Sequence, residues 1–421
     1  MEKIKSFLFN NLSPRQTIIK NAFWLYLSEV ISKGLRLIIF LLVARNLGPT
    51  KFGIFEYLYS FIGVFFLVAD FGISNILIRE YQQREDKRKY LNNAFSLKLA
   101  LSLGFALISI IFFPLSKKSD NFLLYFLIVL FYFLSHLESF FESYFLAIQK
   151  TEKRFIFNLT NSILIFLIII FGLKIYQNVL IVVIAYLSGM FFGLVLAYLI
   201  FLLETKQKLS LDFSLTKYYL TNGLALSLFG ILGYVFFGMD KIFLAHFRTL
   251  DEVAYYSTAS RIIGALMFLP SLFGASFYPY LAQKAIEQNS KSRIFKKFYK
   301  LIFLSLIAGF SLSIIIYFSS YWLILFLFGE KYLPAVDVLR FFIWILVFLF
   351  PVSLLDLILI SYHKQWLDFV ITLIPAMLNL ILNFIFVPLM GMIGAALASI
   401  LSQILNFVLS FVVSVYVLKK S

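Results

Sequence analysis

The chain has 421 residues, of which 62% are hydrophobic and 14% are charged, and its formal net charge is +16. Soluble globular domains average roughly 45–50% apolar and about 25% charged residues, so this composition excludes a soluble protein. The sequence has no cysteine, which excludes disulfide scaffolds, cysteine-ligated zinc, iron–sulfur clusters and thiol catalysis. The three histidines, His136, His246 and His363, lie far apart and have no metal-ligand spacing.

Twelve hydrophobic segments are long enough to cross a bilayer, which takes about 20 mostly apolar residues per helix. The predicted membrane helices are 18–45, 52–78, 91–113, 122–147, 156–173, 179–203, 218–246, 253–281, 301–327, 337–362, 369–390 and 392–418. The predicted fold class is therefore an all-α polytopic membrane protein. Glycines in the seventh of these helices, and prolines in the eighth, tenth and eleventh, predict bends there.

The loop cations predict the orientation of the chain in the membrane. Counted over alternate loops, Lys and Arg are roughly three times as numerous on the side that holds both termini, which makes that side cytoplasmic. The basic start has no short apolar core with a cleavage site, so no cleaved signal peptide is predicted. In a soluble protein the positive charge would suggest nucleic acid; here long apolar segments separate the cations, and no nucleic-acid partner is expected.

A faint internal repeat suggests two halves. A shift of 201 residues places Asn21 on Asn222 and Gly63 on Gly264, within two hairpins of matching length and direction; chance similarity between two hydrophobic hairpins is the alternative. Two six-helix lobes related by an axis along the membrane normal would produce such a pattern. We predict an N-terminal lobe over 1–210 and a C-terminal lobe over 211–421.

Several cations lie at membrane depth, where an ionisable side chain costs about 2.5–3.5 kcal/mol and usually faces a partner or a water-filled cavity. A basic cavity inside a membrane protein selects an anionic ligand. For Arg45 and Arg340, at helix ends, snorkelling to the interface is the alternative. The predicted substrate-binding cations are Lys33, Arg36, Arg45, Lys98, Lys241 and Arg261.

Acidic residues also occur within the predicted helices. Glu138 and Glu142 share one helix face, and Glu29 lies one turn before Lys33, with which it can pair. These acids could couple transport to H⁺ or Na⁺, or they could serve as structural counter-ions; the sequence leaves both interpretations open. The predicted ion-coupling or counter-ion residues are Glu29, Asp70, Glu138, Glu142 and Asp240.

Catalytic signatures are missing from the sequence. It contains no Walker loop, no His-Glu-x-x-His and no Gly-x-Ser-x-Gly motif. We therefore predict a protein that is not an enzyme and has no cofactor, apart from a coupling ion or the membrane potential.

Five stretches resemble the polysaccharide-exporting flippases of the MOP superfamily, of the type that moves O-antigen repeat units. Their order and spacing along the chain match that family. They are Ala44-Arg45-Asn46-Leu47-Gly48-Pro49 through Gly53, Ala69-Asp70-Phe71-Gly72, Asp240-Lys241 with Tyr255-Tyr256-Ser257, Phe328-Gly329 through Tyr332 with Leu339-Arg340, and Asn379 through Asn383 to Pro388 and Gly391-x-x-Gly394-Ala395-Ala396.

The resemblance implies a MATE-like fold in a bacterial inner membrane. It implies that an undecaprenyl-pyrophosphate-linked oligosaccharide moves from the cytoplasmic to the outer leaflet, by alternating access through a cationic central cavity. That cavity would map onto Asp240-Lys241, the face of the first helix, and Arg261. The lipid-linked oligosaccharide and the bilayer are the expected partners, and a polysaccharide polymerase and a chain-length regulator are further candidates.

Four alternatives remain. A multidrug exporter for organic cations would line its cavity with acids and aromatics, whereas this chain buries basic residues. A flippase for the peptidoglycan precursor belongs to the same superfamily and commonly has fourteen helices. A membrane polysaccharide polymerase would show a large external loop, and a purely structural protein would not hold so many charges at membrane depth.

Overall fold

The computed structural model describes residues 13–116, 121–270, 272, 274, 291–362 and 364–420. In these residues the regular structure is helical throughout, as the predicted fold class requires. The chain forms two compact units, one up to Ile231 and one from Leu232. The predicted division into lobes at 1–210 and 211–421 stays a prediction.

The helices follow the hydrophobic segments closely. The first unit holds α1 (Pro14–Phe66), α2 (Ile73–Glu80), α3 (Lys87–Ile111), α4 (Phe122–Ala147), α5 (Thr151–Ile175), α6 (Val179–Thr205) and most of α7 (Thr216–Phe237). The second unit holds α8 (Met239–Phe247), α9 (Leu250–Leu266), α10 (Lys291–Phe328), α11 (Ala335–Phe342), α12 (Ile345–Ser361) and α13 (Gln365–Lys420). Short 3₁₀ turns occupy Phe113–Leu115 and Glu330–Tyr332.

Helix α1 is a hairpin of two helical arms. The backbone leaves helical geometry at Gly48, with φ 72° and ψ 172°, and Pro49 follows. The ring centroids of Phe40 and Phe52 lie 5.1 Å apart, whereas twelve residues of straight helix would separate them by about 18 Å. The turn predicted between the first two membrane helices is therefore confirmed.

Helix α13 folds back in the same way at Gly391, where φ is 59° and ψ is −135°. The Asn379 side chain reaches the Ser399 hydroxyl, with 3.2 Å between Nδ2 and Oγ, across 20 residues of sequence. Twenty residues of straight helix would span about 30 Å. The position of this turn, between predicted helices 369–390 and 392–418, is also confirmed.

Replacing Gly391 with alanine is expected to lower the free energy of unfolding by about 1–3 kcal/mol, because this backbone conformation is open only to glycine. A Cβ there would also overlap the Glu252 carboxylate, which accepts a hydrogen bond from the Met392 amide at 3.0 Å. Gly233→Ala is the matched control, since a Cβ at Gly233 meets no atom within 4 Å. Thermal unfolding of the purified variants measures the difference, and equal losses in both would contradict the expectation.

Three predicted membrane helices are interrupted. The second breaks at 67–72, where Phe71 and Gly72 have φ of 45° and 70°. The seventh divides at Gly238 into α7 and α8. The tenth divides into α11 and α12, and the Ser313 hydroxyl of α10 donates to the Ile343 carbonyl, at 3.0 Å, in the gap between them. A side chain that satisfies a freed carbonyl allows such a break inside a membrane.

Seven helical stretches in the described part of the chain are long and apolar enough to cross a bilayer, judged by length and composition. Their surfaces carry many large apolar side chains that are mostly exposed, among them Phe303, Phe318 and Leu389. Such a surface suits lipid tails. The second part of predicted helix 253–281, as well as His363, lies outside the described residues.

A buried ion pair joins the start of α1 to the start of α5. Lys20 and Glu152 approach to 3.1 Å, and their side chains are 0% and 2% exposed. The Lys20 ammonium also donates to the Gln149 carbonyl at 3.2 Å, and the Thr151 hydroxyl donates to the Asn21 side chain at 2.9 Å. Together these contacts fix the first membrane segment against the fifth helix.

Candidate functional site

The first arm of α1 carries three charges on one face. Glu29 and Lys33 form the predicted ion pair, with 2.9 Å between carboxylate and ammonium, and their side chains are 47% and 72% exposed. Arg36 is also exposed and interacts electrostatically with Glu29 and Glu138. This face therefore presents two cations and one acid outside the packed interior of its unit.

Lys98 has a different environment from the cations of α1. Its side chain is buried and lies 2.8 Å from Asp70, in the break between α1 and α2. The Lys98 ammonium also donates to the Ser139 hydroxyl at 2.5 Å, and Ser74 donates to Asp70 at 2.6 Å. Lys98 thus neutralises Asp70 and ties the break to α3 and α4, and its role in substrate binding stays a prediction.

The two acids of α4 turn towards α5. Asn161 donates to the buried Glu138 carboxylate at 3.2 Å, and Arg154 pairs with Glu142 at 3.4 Å. Gly193 of α6 packs directly on Glu138, and a Cβ there would lie 2.5 Å from its Oε1. The carboxylate therefore has room because residue 193 is glycine. Lys98 pairs with Asp70 rather than with Glu138 or Glu142, so these two acids do not serve as its counter-ions.

Arg45 lies three residues before Gly48, near the end of the first arm of α1, and is exposed. It makes further interactions within the protein. Its position next to the turn between two membrane segments is where a long basic side chain can reach the headgroup region, so snorkelling and substrate binding both remain open for Arg45.

In the second unit, Asp240 is the centre of a buried polar cluster. It lies in the first turn of α8, directly after the break at Gly238, and is fully buried. Asn383 donates to its Oδ1 at 2.7 Å and Ser399 to its Oδ2 at 3.1 Å, and the Tyr256 hydroxyl donates to Oδ2 as well. Four elements, α8, α9 and both arms of α13, thus meet at one carboxylate.

The cluster contains more oxygen atoms than the hydrogen bonds use. Asn383 donates to the Asn379 Oδ1 at 3.0 Å, and Asn379 donates to Ser399 at 3.2 Å. The Asn383 Oδ1 is buried and has no hydrogen-bond partner among the described residues. The start of α8 stabilises the negative charge of the Asp240 carboxylate. The cluster offers this carboxylate and a spare amide oxygen to a small cation.

Lys241 and Arg261 belong to the same unit. Lys241 follows Asp240 and is half-buried, whereas Arg261 of α9 is exposed. Both make further interactions within the protein. Of the six predicted cations, the described structure therefore buries Lys98 alone, leaves Lys241 half-buried, and exposes Lys33, Arg36, Arg45 and Arg261.

Sequence reasoning assigned no role to Tyr256, Asn383 and Ser399, although the first two lie in the motifs that resemble the flippase family. The available signal was polar side chains at helical spacing inside apolar helices, as in Asn379 and Asn383 four residues apart.

Among the described residues, no group of three or more His, Cys, Asp and Glu side chains could hold a metal ion.

Comparison with known proteins places the chain in a family context. The family described as "Polysaccharide biosynthesis protein" matches residues 18–285, and the MatE family matches residues 225–385. An uncharacterized membrane protein of Methanocaldococcus jannaschii, MJ1068, is 23% identical over 92% of this chain and 82% of its own length.

Solved structures show the same fold. The chain is similar to the lipid II flippase MurJ in an inward closed conformation, with a TM-score of 0.75 and 17% identity over 92% of this chain and 86% of that one. It is also similar to an inward-facing multidrug resistance MATE transporter of the MOP superfamily, with a TM-score of 0.71 and 17% identity over 95% and 99%. A third match is a MOP superfamily transporter from Pyrococcus furiosus described as having a binding pocket of reverse polarity, with a TM-score of 0.59 and 15% identity over 99% and 98%. The chain thus has the MOP fold.

Proposed function

Since this chain belongs to the polysaccharide biosynthesis protein family, we propose that it is a flippase for a polyprenyl-pyrophosphate-linked oligosaccharide repeat unit. The substrate would move from the cytoplasmic to the outer leaflet of a cell membrane. The observation that carries the proposal is the set of cations at bilayer depth in a chain with the MOP fold. Both O-antigen units and related lipid-linked oligosaccharides have this chemistry.

The proposed transport mode is alternating access through a cationic central cavity, in a frame of twelve membrane helices with both termini in the cytoplasm. The breaks at Gly238 and at 67–72, and the turns at Gly48 and Gly391, support such movement because they interrupt helices where backbone angles can change. Interrupted helices next to a binding site are typical of transporters that work by rocking two repeats.

Charge favours an anionic substrate. Lys33 and Arg36 are exposed on one helix face that carries a single nearby acid, Glu29, so this face keeps a net positive charge, which is unfavourable at membrane depth unless a counter-charge or water meets it. A pyrophosphate group with about two negative charges provides that counter-charge. It would also gain roughly 4–5 kcal/mol on leaving a cell interior at −100 mV, so the membrane potential favours export.

Asp240 is the proposed site of the coupling cation, H⁺ or Na⁺. Its carboxylate, the unpartnered Asn383 Oδ1 and the nearby hydroxyl groups of Tyr256 and Ser399 provide oxygen atoms from three helices. Oxygen atoms are what a hard cation prefers. Binding of the cation would hold α8, α9 and α13 together, so its arrival and release would change the packing of the second unit.

A deletion strain analysed for lipid-linked oligosaccharide tests the proposal. Complete repeat units stranded on the inner leaflet are the expected result. Unpolymerised units already on the outer surface would point to a polymerase instead, and a strain whose only defect is greater drug susceptibility would point to a multidrug exporter.

The similarity to the lipid II flippase MurJ favours a second candidate substrate, the peptidoglycan precursor. Both substrates would place a polyprenyl pyrophosphate against the same cations, so the fold does not separate them. Rescue of cells depleted of their own lipid II flippase by this chain would assign the peptidoglycan precursor. Growth arrest of those cells, with oligosaccharide export lost in the deletion strain, would assign the repeat unit.

Lys33→Ala, Arg36→Ala and Lys241→Ala are each expected to stop export while the protein still inserts, because each removes a cation proposed to meet the pyrophosphate. Lys331→Ala removes an exposed loop cation and is the control, with export unchanged. Surface polysaccharide and membrane-fraction protein are measured together. Normal polysaccharide in all three variants would refute the assignment of these cations.

A further inference from the structure

A basic pocket lies at one end of the first unit, apart from the charges on α1 and the Asp240 cluster. It has a volume of about 200 Å³ and lies between the start of α3, the end of α6 and the loop that follows α6. Lys87, Arg88 and Lys208 line it, and all three are exposed. Three cations around one small cavity give it a positive potential, which attracts anions.

The acids of this region are engaged elsewhere. Glu204 pairs with Lys150 and Lys153, and Glu80 pairs with Arg79 and Arg84. Glu85 and Asp86, which precede α3, do not line the pocket. Within the described residues, Lys87, Arg88 and Lys208 form no salt bridge, although the Lys87 ammonium lies 6.0 Å from the Tyr81 ring centroid. The positive charge of the pocket is therefore available to a ligand.

The inner wall of the pocket includes apolar side chains of the protein core. Leu91 and Phe201 are buried and belong to the core that packs α3 against α4 and α6, and Leu209 packs against the same core. Asn92 is held by Ser210, with 2.6 Å from its Nδ2 to the Ser210 hydroxyl and 3.3 Å from the Ser210 amide to its Oδ1. These hydrogen bonds hold the loop after α6 beside the start of α3, and so they also hold Lys208 close to Lys87 and Arg88.

We propose that this pocket binds the phosphate headgroup of an anionic phospholipid at the cytoplasmic surface of the membrane. The loops that form it carry the cation excess that predicts the cytoplasmic side. Basic pockets between membrane helices on that side bind anionic headgroups. The volume is below the roughly 300–1,000 Å³ of sites for drug-sized ligands, which suits a headgroup fragment, and the apolar wall suits the adjoining glycerol and chain.

The test uses the full-length protein in detergent, titrated with phosphatidylglycerol and followed by native mass spectrometry. The triple variant K87Q/R88Q/K208Q is expected to bind this lipid about 100-fold more weakly, from the usual contribution of each basic residue near an anionic surface. The control R15Q/K217Q/K419Q removes the same charge at exposed positions that do not line the pocket and is expected to bind as the unaltered protein does.

Equal weakening in both triple variants would overturn the proposal, because the attraction would then be diffuse. Unchanged binding in K87Q/R88Q/K208Q, or equal binding of phosphatidylcholine, would also overturn it. A titration with inorganic phosphate distinguishes a lipid headgroup from a soluble anion. If phosphate does not bind, the result supports a lipid headgroup. If phosphate binds, the pocket variant loses that binding and the protein shows no lipid selectivity, the ligand is a soluble anion and the lipid assignment is overturned. The measurement involves no transport, so it is independent of the proposed flippase activity.

Discussion

Asp240→Asn is expected to reduce transport to background and to lower the free energy of unfolding by about 1–3 kcal/mol. The carboxylate accepts hydrogen bonds from Tyr256, Asn383 and Ser399. An amide in its place turns an NH₂ group towards some of these donors and removes the negative charge that a coupling cation needs. Export in a deletion strain and thermal unfolding of the purified protein measure the two effects.

Asp337→Asn is the matched control for this experiment. Asp337 is an exposed carboxylate in the same unit, at the start of α11, so its replacement changes charge without disturbing a buried cluster. A second variant, Tyr256→Phe, keeps the ring and removes one hydrogen-bond donor to Asp240. It is expected to lower the free energy of unfolding by about 0.5–1.5 kcal/mol. Export by Asp240→Asn at the rate of the unaltered protein would exclude Asp240 as the coupling site.

Breaking the Lys98–Asp70 pair is expected to cost about 3–5 kcal/mol of stability, because Asp70→Asn leaves the buried Lys98 ammonium, whose side chain is 1% exposed, without its 2.8 Å partner. The double variant Lys98→Met with Asp70→Asn is expected to recover much of that loss, since no charge then remains. Unfolding in denaturant of the two single variants and the double variant measures the coupling between the residues.

The Glu29–Lys33 pair provides the internal control for this cycle. Its distance of 2.9 Å is close to that of Lys98–Asp70, but its side chains are 47% and 72% exposed, and exposed pairs contribute about 0–1 kcal/mol. Additive losses at Lys98 and Asp70, or a coupling as small as that of Glu29 and Lys33, would contradict a locking role for the buried pair.

Much of the fold could be predicted from hydrophobic run length and from glycine position. Gly48 and Gly391 mark turns because each adopts positive φ inside an otherwise apolar stretch, and both turns were predicted. Gly238 was one of several glycines predicted to bend the seventh helix. Such local effects are readable because glycine, proline and charge act on their own segment of the chain.

The arrangement of the charged groups was harder to predict. That Lys98 pairs with Asp70 rather than with Glu138 depends on the break at 67–72, which brings Asp70 to α3. Likewise, Tyr256, Asn383 and Ser399 reach Asp240 from three different segments. These contacts are set by how helices far apart in sequence pack, and helical periodicity within one segment carries no information about that packing.

The buried pair of Lys20 and Glu152 has a consequence for biogenesis. The Gln149 carbonyl, which also accepts from Lys20, lies 129 residues further along the chain. At translation rates of about 5–20 residues per second, the ribosome needs roughly 6–26 s to synthesise that stretch. During this interval the Lys20 ammonium lacks Glu152, its partner in the folded protein, and burying it unpaired would be unfavourable. The packing of the first arm of α1 against α5 can therefore be completed only after the start of α5 has been synthesised.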